Sequence, residues 1–62
     1  MKMFIRDLKT NKKYLIKGIS CKQYQTGEYS ESELFEKIYQ LLIKHDIQES
    51  ELINDKGQRV DV

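Results

Sequence analysis

The stretch from Tyr29 to His45, YSESELFEKIYQLLIKH, constrains the fold most, because it is the one segment long and periodic enough to predict a helix. Ser30 and Glu33 have the S-x-x-E spacing of a capping box, which places the start of the helix. One apolar stripe is predicted to face the core, and it consists of Leu34, Phe35, Ile38, Leu41, Leu42 and His45. Tyr39 and Ile43 point away from this stripe at about 3.6 residues per turn, so they predict a second, smaller apolar patch.

Residues 3–9 and 13–21 are rich in aliphatic, β-branched and aromatic side chains, and they predict a β-hairpin. Asn11 is the favoured turn residue between them, because asparagine tolerates a positive φ. A two-residue loop of Asn11 and Lys12 is the working interpretation, and a longer loop with a bulge is the alternative. Gly18 interrupts the second strand, which predicts a bulge or a close backbone approach.

Both faces of this hairpin are apolar. The two-residue loop pairs Leu8 with Leu15 and Phe4 with Ile19. One face then carries Phe4, Leu8, Leu15, Ile19 and Cys21, and the other carries Met3, Ile5, Tyr14 and Ile16. A single helix can cover only one of these faces. The other face is therefore expected to meet the C-terminal segment or a second subunit.

The rest of the chain reads as connections and a short strand. Residues 22–29 are polar and are interpreted as the link into the helix. The segment 46–52 predicts a frayed last turn or a short second turn, and the residues 55–57 (Asp-Lys-Gly) are a turn signal. Residues 58–62 alternate and predict a short edge strand, with Leu52 and Ile53 as its candidate hairpin partner. The sequence thus predicts an α+β fold, ββαβ or ββαββ, in a single domain over residues 1–62.

A chain of 62 residues buries a small core, so an additional source of stability is expected. Cys21 is the sole cysteine, which excludes an intrachain disulfide and favours a reducing cytoplasm. The start MKMFIRDLK has no long apolar run, so neither a signal peptide nor a membrane span is expected. Self-association into a homodimer is the remaining source of stability.

Few residue patterns favour catalysis. His45 and Cys21 are single residues with no motif around them, and no metal-ligand spacing is present. The three glycines are isolated, so no phosphate-binding loop is predicted. The sequence therefore predicts a non-enzyme without a catalytic residue, metal, cofactor or small-molecule substrate.

Charge divides the chain into two halves. Residues 1–26 carry seven basic side chains against Asp7 alone, a net charge of +6, whereas residues 27–62 carry four basic and nine acidic ones, a net charge of −5. A basic hairpin beside an acidic helix would neutralise itself. The alternative is a nucleic-acid-binding surface, with lysines on phosphates and a tyrosine on a base. That surface would consist of Arg6, Lys9, Lys12, Lys13, Lys17, Lys22 and Tyr24.

Two features weigh against nucleic acid. Lysine dominates over arginine, and the sequence pI is about 7.8, below the value typical of a nucleic-acid-binding domain. The surplus of apolar surface instead predicts a protein-interaction module, a small regulator or inhibitor that binds itself or a larger protein. The predicted contact residues are Met3, Ile5, Tyr14, Ile16, Tyr39 and Ile43.

Overall fold

The computed structural model describes residues 1–60 and shows an antiparallel sheet of three strands with two helices. The elements are β1 (Lys2–Asp7), β2 (Lys13–Ser20), α1 (Cys21–Thr26), α2 (Glu31–Lys44) and β3 (Ser50–Asn54). The strand order is β2-β1-β3, so the first strand lies in the centre of the sheet. Two strands precede α2 and one follows it, which confirms the predicted α+β class and the ββαβ order.

The hairpin of β1 and β2 has the longer loop, residues 8–12. Asp7 closes this loop: its backbone N–H donates to the carbonyl of Lys12 at 2.9 Å, and its carboxylate accepts from the N–H of Lys9 at 2.9 Å. Asn11 has a φ of 64°, as predicted. Phe4 lies opposite Leu15, four residues away from the predicted register, so the two-residue loop is wrong.

Gly18 lies in a bulge, as predicted. Only Met3 separates the paired residues Lys2 and Phe4 on β1, whereas four residues separate their partners on β2. Gly18 takes up part of this excess with a φ of 84°. Because the bulge changes the alternation of side chains, Ile16 and Ile19 both lie in the core although they are three residues apart.

The core lies between α2 and one face of the sheet. Its buried members are Met3, Ile5, Ile16, Ile19, Cys21, Leu34 and Val60. Met3, Ile5 and Ile16 come from the hairpin face that was predicted to meet a partner, and here α2 covers them within the monomer. Ile19 and Cys21 were predicted for the other face, which is wrong, because the bulge brings the end of β2 to the core side. The opposite face carries Phe4, Leu15 and Ile53, which pair side by side across the three strands.

Helix α2 begins as predicted. The hydroxyl of Ser30 accepts a hydrogen bond from the N–H of Glu33 at 3.4 Å. The carboxylate of Glu33 does not complete the capping box; it pairs with Lys37 at 3.4 Å, one turn further along. Acidic residues in the first turn and Lys44 in the last turn both complement the helix dipole.

Helix α1 replaces the predicted polar connection. Ser20 accepts from the N–H of Gln23 at 3.2 Å, and the Gln23 side chain accepts from the N–H of Ser20 at 2.8 Å. This reciprocal pair is a capping box of the S-x-x-Q type. The helix ends at Gly27, whose φ is 77°. Only Cys21 is buried in α1, so the sequence has no apolar stripe that would predict this helix.

The C-terminal segment forms a turn beside β3. The buried Asn54 side chain accepts from the N–H groups of Lys56 and Gln58 at 2.9 and 3.0 Å, which shapes the predicted turn. Of the strand predicted for residues 58–62, the described residues 58–60 form one bridge, between Arg59 and Ile53, and residues 61–62 lie outside the described part. Within residues 1–60, no helix has the length and apolar character that crossing a membrane requires.

Candidate interaction surfaces

An exposed line of large apolar side chains runs along α2. Phe35, Tyr39 and Ile43 follow an i, i+4, i+8 spacing, and their exposed fractions are 64%, 64% and 63%. At a rise of about 1.5 Å per residue, the line is roughly 12 Å long. We call these three residues the outer ridge.

The position of Phe35 differs from the prediction, which placed it on the core stripe. Leu34 and Phe35 are adjacent, so their side chains point about 100° apart around the helix, and Phe35 lies nearer to the direction of Tyr39 than to the centre of the sheet-facing side. Leu34 is buried and takes the core position. The helix thereby turns Phe35 outward, in line with the two off-stripe residues.

The flanks of the outer ridge have different chemistry. Half-buried Ile38 and Leu42 lie on one side and connect the ridge with the core. Exposed Ser32 and Glu36 lie on the other side. Two further glutamates occupy the first turn of α2, so the N-terminal half of the ridge is bordered by acidic side chains.

The six predicted partner-contact residues are divided by the fold. Tyr39 and Ile43 belong to the outer ridge. Met3, Ile5 and Ile16 expose 0%, 1% and 2% of their surface, so in this monomer they cannot contact a partner. The reason is that α2 packs on their face of the hairpin. Tyr14 is half-buried and stacks on His45, with 3.9 Å between ring centroids and 20° between planes.

Arg6, predicted for the nucleic-acid surface, is bound within the protein. Its guanidinium makes an ion pair with Glu51 on β3, with Nε at 3.1 Å from Oε2. Arg59 approaches the other oxygen of the same carboxylate at 2.9 Å. Hydrogen bonds from Arg6 first, and from Arg59 second, hold the pKa of Glu51 below its usual range. This cluster ties the central strand to β3 and to the C-terminal turn.

The remaining basic residues of the predicted nucleic-acid surface lie at both ends of β2. Lys9, Lys12 and Lys13 are exposed around the hairpin loop, whereas Lys22 is exposed on α1. Tyr24 is half-buried and stacks on Tyr29 at 5.4 Å, so one face of its ring is occupied. Lys17 is exposed beside the bulge.

A groove that the sequence does not predict lies between β2 and α2. It encloses about 410 Å³ and is lined by Leu15, Ile16, Lys17, Lys37, Gln40, Leu41 and Lys44. We call it the lysine groove. The Nζ of Lys37 donates to the carbonyl of Lys17, which holds the helix against the bulge. No local pattern reveals this groove, because its lysines come from elements that meet only after packing.

The groups considered for chemistry have other contacts. The thiol of Cys21 is buried and donates to the carbonyl of Lys2 at 3.3 Å, and His45 is in its stack with Tyr14. Across residues 1–60, no three His, Cys, Asp or Glu side chains come together in a way that could hold a metal ion. Comparisons of the chain with family models, with curated proteins and with solved structures found no match.

Proposed function

We propose that the chain is a non-enzymatic protein-binding module, a small regulator or inhibitor, that inserts the outer ridge of α2 into an apolar groove of a larger protein. One observation carries this proposal: three large apolar side chains lie in one line and each exposes almost two thirds of its surface. Single exposed apolar residues are ordinary on protein surfaces, whereas a contiguous patch marks an interaction site.

Burial of the ridge would release substantial free energy. Full burial of a large apolar side chain is worth about 1.5–3 kcal/mol. With almost two thirds of each side chain still exposed, the three ridge residues would contribute roughly 3–6 kcal/mol on binding. Immobilising two proteins costs about 4–15 kcal/mol, so the ridge supplies part of the binding free energy and contacts along the flanks of the helix supply the rest.

The area of the ridge favours a groove over a second copy of the chain. A buried aromatic side chain covers about 150–250 Å², so the exposed parts of the ridge offer roughly 400 Å². Two convex ridges in contact would bury about 800 Å² in total, below the roughly 1,200 Å² of specific interfaces. A concave partner also encloses the flanks of the helix, including Leu42, and so reaches the required area. Helix-in-groove recognition uses anchors at this spacing.

Charge defines the rim of that groove. The acidic side chains that border the N-terminal half of the ridge include Glu31 and Glu36. A matching partner carries basic residues where it receives this end of the helix, since complementary rims steer the encounter and fix the orientation. Occupying such a groove is how a small chain would regulate or inhibit a larger protein. The single reduced cysteine, Cys21, supports the cytoplasm as the place of this function.

Site-specific photocrosslinking in the native host tests the proposal. The photoreactive p-benzoylphenylalanine replaces Tyr39 in one variant and Lys56, an exposed residue of the C-terminal turn, in the control. We expect one larger protein to be crosslinked from position 39 and not from position 56. That protein, once purified, should bind the wild-type chain with a negative heat-capacity change, the mark of apolar burial.

A triple ridge variant completes the test. F35S, Y39S and I43S together should reduce binding by the purified partner at least 100-fold, while L8S, which also removes an exposed apolar side chain, should not. Equal binding by both variants would refute the proposal. A crosslink of the chain to itself, with sedimentation showing a ridge-dependent dimer, would make a second copy the occupant instead.

A further inference from the structure

The outer edge of β2 is an unpaired sheet edge. β2 pairs with β1 on one side, and no described strand pairs with its other side. The opposite edge of the sheet, on β3, is partly covered by the bridge between Ile53 and Arg59. A free edge presents main-chain N–H and C=O groups that can pair with an added strand. The regular ladder of β2 runs from Lys13 to Leu15 before the bulge.

The lysine groove lies beside this edge and has a distinct composition. Its floor is aliphatic, and among residues 1–60 its lining includes three lysines and no carboxylate. Lys37 is engaged with Glu33 and with the carbonyl of Lys17. The ammonium groups of Lys17 and Lys44 lie at exposed positions, and neither belongs to a described ion pair.

We propose that this edge and groove bind an extended acidic segment of another protein. The segment adds a strand to β2 along residues 13–16 through main-chain hydrogen bonds. Its aliphatic side chains pack on Leu15 and Leu41, and its carboxylates pair with Lys17 and Lys44. Strand addition of this kind takes its affinity from the main chain and its specificity from side-chain contacts.

Charge disfavours a second copy of the chain as the occupant. If β2 paired antiparallel with another β2 around Leu15, Lys13 of each copy would lie opposite Lys17 of the other. Like charges directly opposite each other destabilise a strand pair. The lysines that prevent self-pairing are the same groups that attract an acidic strand.

The groove lacks what a nucleic acid needs. Single-stranded nucleic acids are held by aromatic rings that stack on bases as well as by positive charge. No aromatic residue lines the groove, and the neighbouring Tyr14 stacks on His45. The aliphatic floor suits the side chains of a polypeptide.

This site is separate from the outer ridge. The groove uses Lys37, Gln40, Leu41 and Lys44 of α2, whose mean direction is roughly 150° away from that of the ridge around the helix axis. The two surfaces share no residue, so each proposal can be tested by its own substitutions and can fail without the other.

The probe for the test is a fluorescein-labelled peptide, Glu-Val-Glu-Leu-Asp-Ile-Glu-Ser, added to the full chain in a fluorescence anisotropy titration. The charge-reversed variant carries K17E and K44E. Its matched control carries K9E and K56E, two exposed lysines outside the groove, so both variants have the same net charge. We expect saturable binding to the wild type, at least tenfold weaker binding to the K17E/K44E variant, and wild-type binding to the control.

Two further measurements separate the outcomes. The same peptide with N-methylated valine and leucine should bind at least tenfold more weakly, and NMR shifts of the wild type should centre on the amides of Leu15 and Ile16. Circular dichroism checks that K17E/K44E folds, and K17Q/K44Q replaces it if it does not. Absence of peptide binding, an equal loss in both charge variants, or tighter groove-dependent binding of oligo(dT) would overturn the proposal.

Discussion

Gly18 gives a sharp test of how the bulge and α2 hold each other. Its φ of 84° lies in the left-handed region, and a Cβ added there would come within 2.8 Å of the Lys37 ammonium. Gly27 has a similar φ of 77°, and a Cβ at that position would meet nothing within 4 Å. G18A therefore combines backbone strain with displacement of Lys37, whereas G27A introduces the strain alone.

The expected free energies follow from these two geometries. A non-glycine residue in the left-handed region costs about 1–2 kcal/mol. The lower entropy of alanine in the unfolded chain offsets about 0.4–1 kcal/mol of this. G27A should thus destabilise by roughly 0.5–1.5 kcal/mol. G18A also loses the hydrogen bond from Lys37 to the carbonyl of Lys17, worth about 0.5–1.5 kcal/mol more. Its melting temperature should fall by about 4–8 °C per kcal/mol.

Urea unfolding followed by circular dichroism measures both variants, and a K37M background supplies the control. The excess cost of G18A over G27A should disappear in that background, because the displaced ammonium is no longer there. Equal destabilisation of G18A and G27A in the wild-type background would refute a role of Lys37 in holding the bulge. A neutral or stabilising G18A would contradict the left-handed conformation itself.

Three more perturbations test the fold. The pKa of Glu51 is lower in the folded state than its unfolded value of about 4.3. Its contribution to stability is therefore present above the unfolded pKa and is lost as the pH falls through the lower folded pKa. E51Q should abolish this acid-dependent part when the urea midpoint of unfolding is measured as a function of pH. An unchanged profile would argue against the arginine contacts. S20A removes the cap of α1 and should lower the free energy of unfolding by about 0.5–2 kcal/mol, measured by urea unfolding. Amide hydrogens in α1 should also exchange faster than in the wild type; unchanged exchange rates in α1 would show that other contacts hold this helix. I5A should cost about 2–5 kcal/mol in a thermal melt, whereas L8A, 43% exposed, should stay within about 0.5 kcal/mol, and similar values for both would contradict the burial of Ile5.

Patterns that act within one element predicted the fold well. The cap at Ser30, the positive φ of Asn11 and the bulge at Gly18 depend on local chemistry, and the structure confirms each of them. The predicted hairpin register is wrong, because both faces are apolar and a slip of four residues leaves Phe4 and Leu15 on one face and Met3 and Ile5 on the other. Only beyond the bulge does the face change, where Ile19 joins the core. What decided the register was the five-residue loop closed by Asp7.

The errors at the candidate surfaces have one physical cause. Composition indicates that apolar surface is in excess, but packing decides which part of it remains exposed. Helix α2 packs on the face that carries Met3 and Ile5 and leaves Phe35 exposed, so half of the predicted contact residues are buried in the core. The capping box of Ser20 and Gln23 was readable in the sequence as S-x-x-Q and would have located α1. The lysine groove depends on how α2 lies across β2, which no local pattern contains.

The position of β1 in the centre of the sheet also sets the order in which this chain can fold. β1 pairs with β2 as soon as the hairpin forms. Its other edge pairs with β3, whose residues lie some 45 positions further along the chain, as in the pair of Arg6 and Glu51. Closing such a distant contact costs chain entropy before it returns any free energy. A growing polypeptide therefore cannot complete its sheet until Asn54 has left the ribosome, and until then the middle strand has an open flank. The sheet of this protein is therefore completed only when β3 pairs with β1.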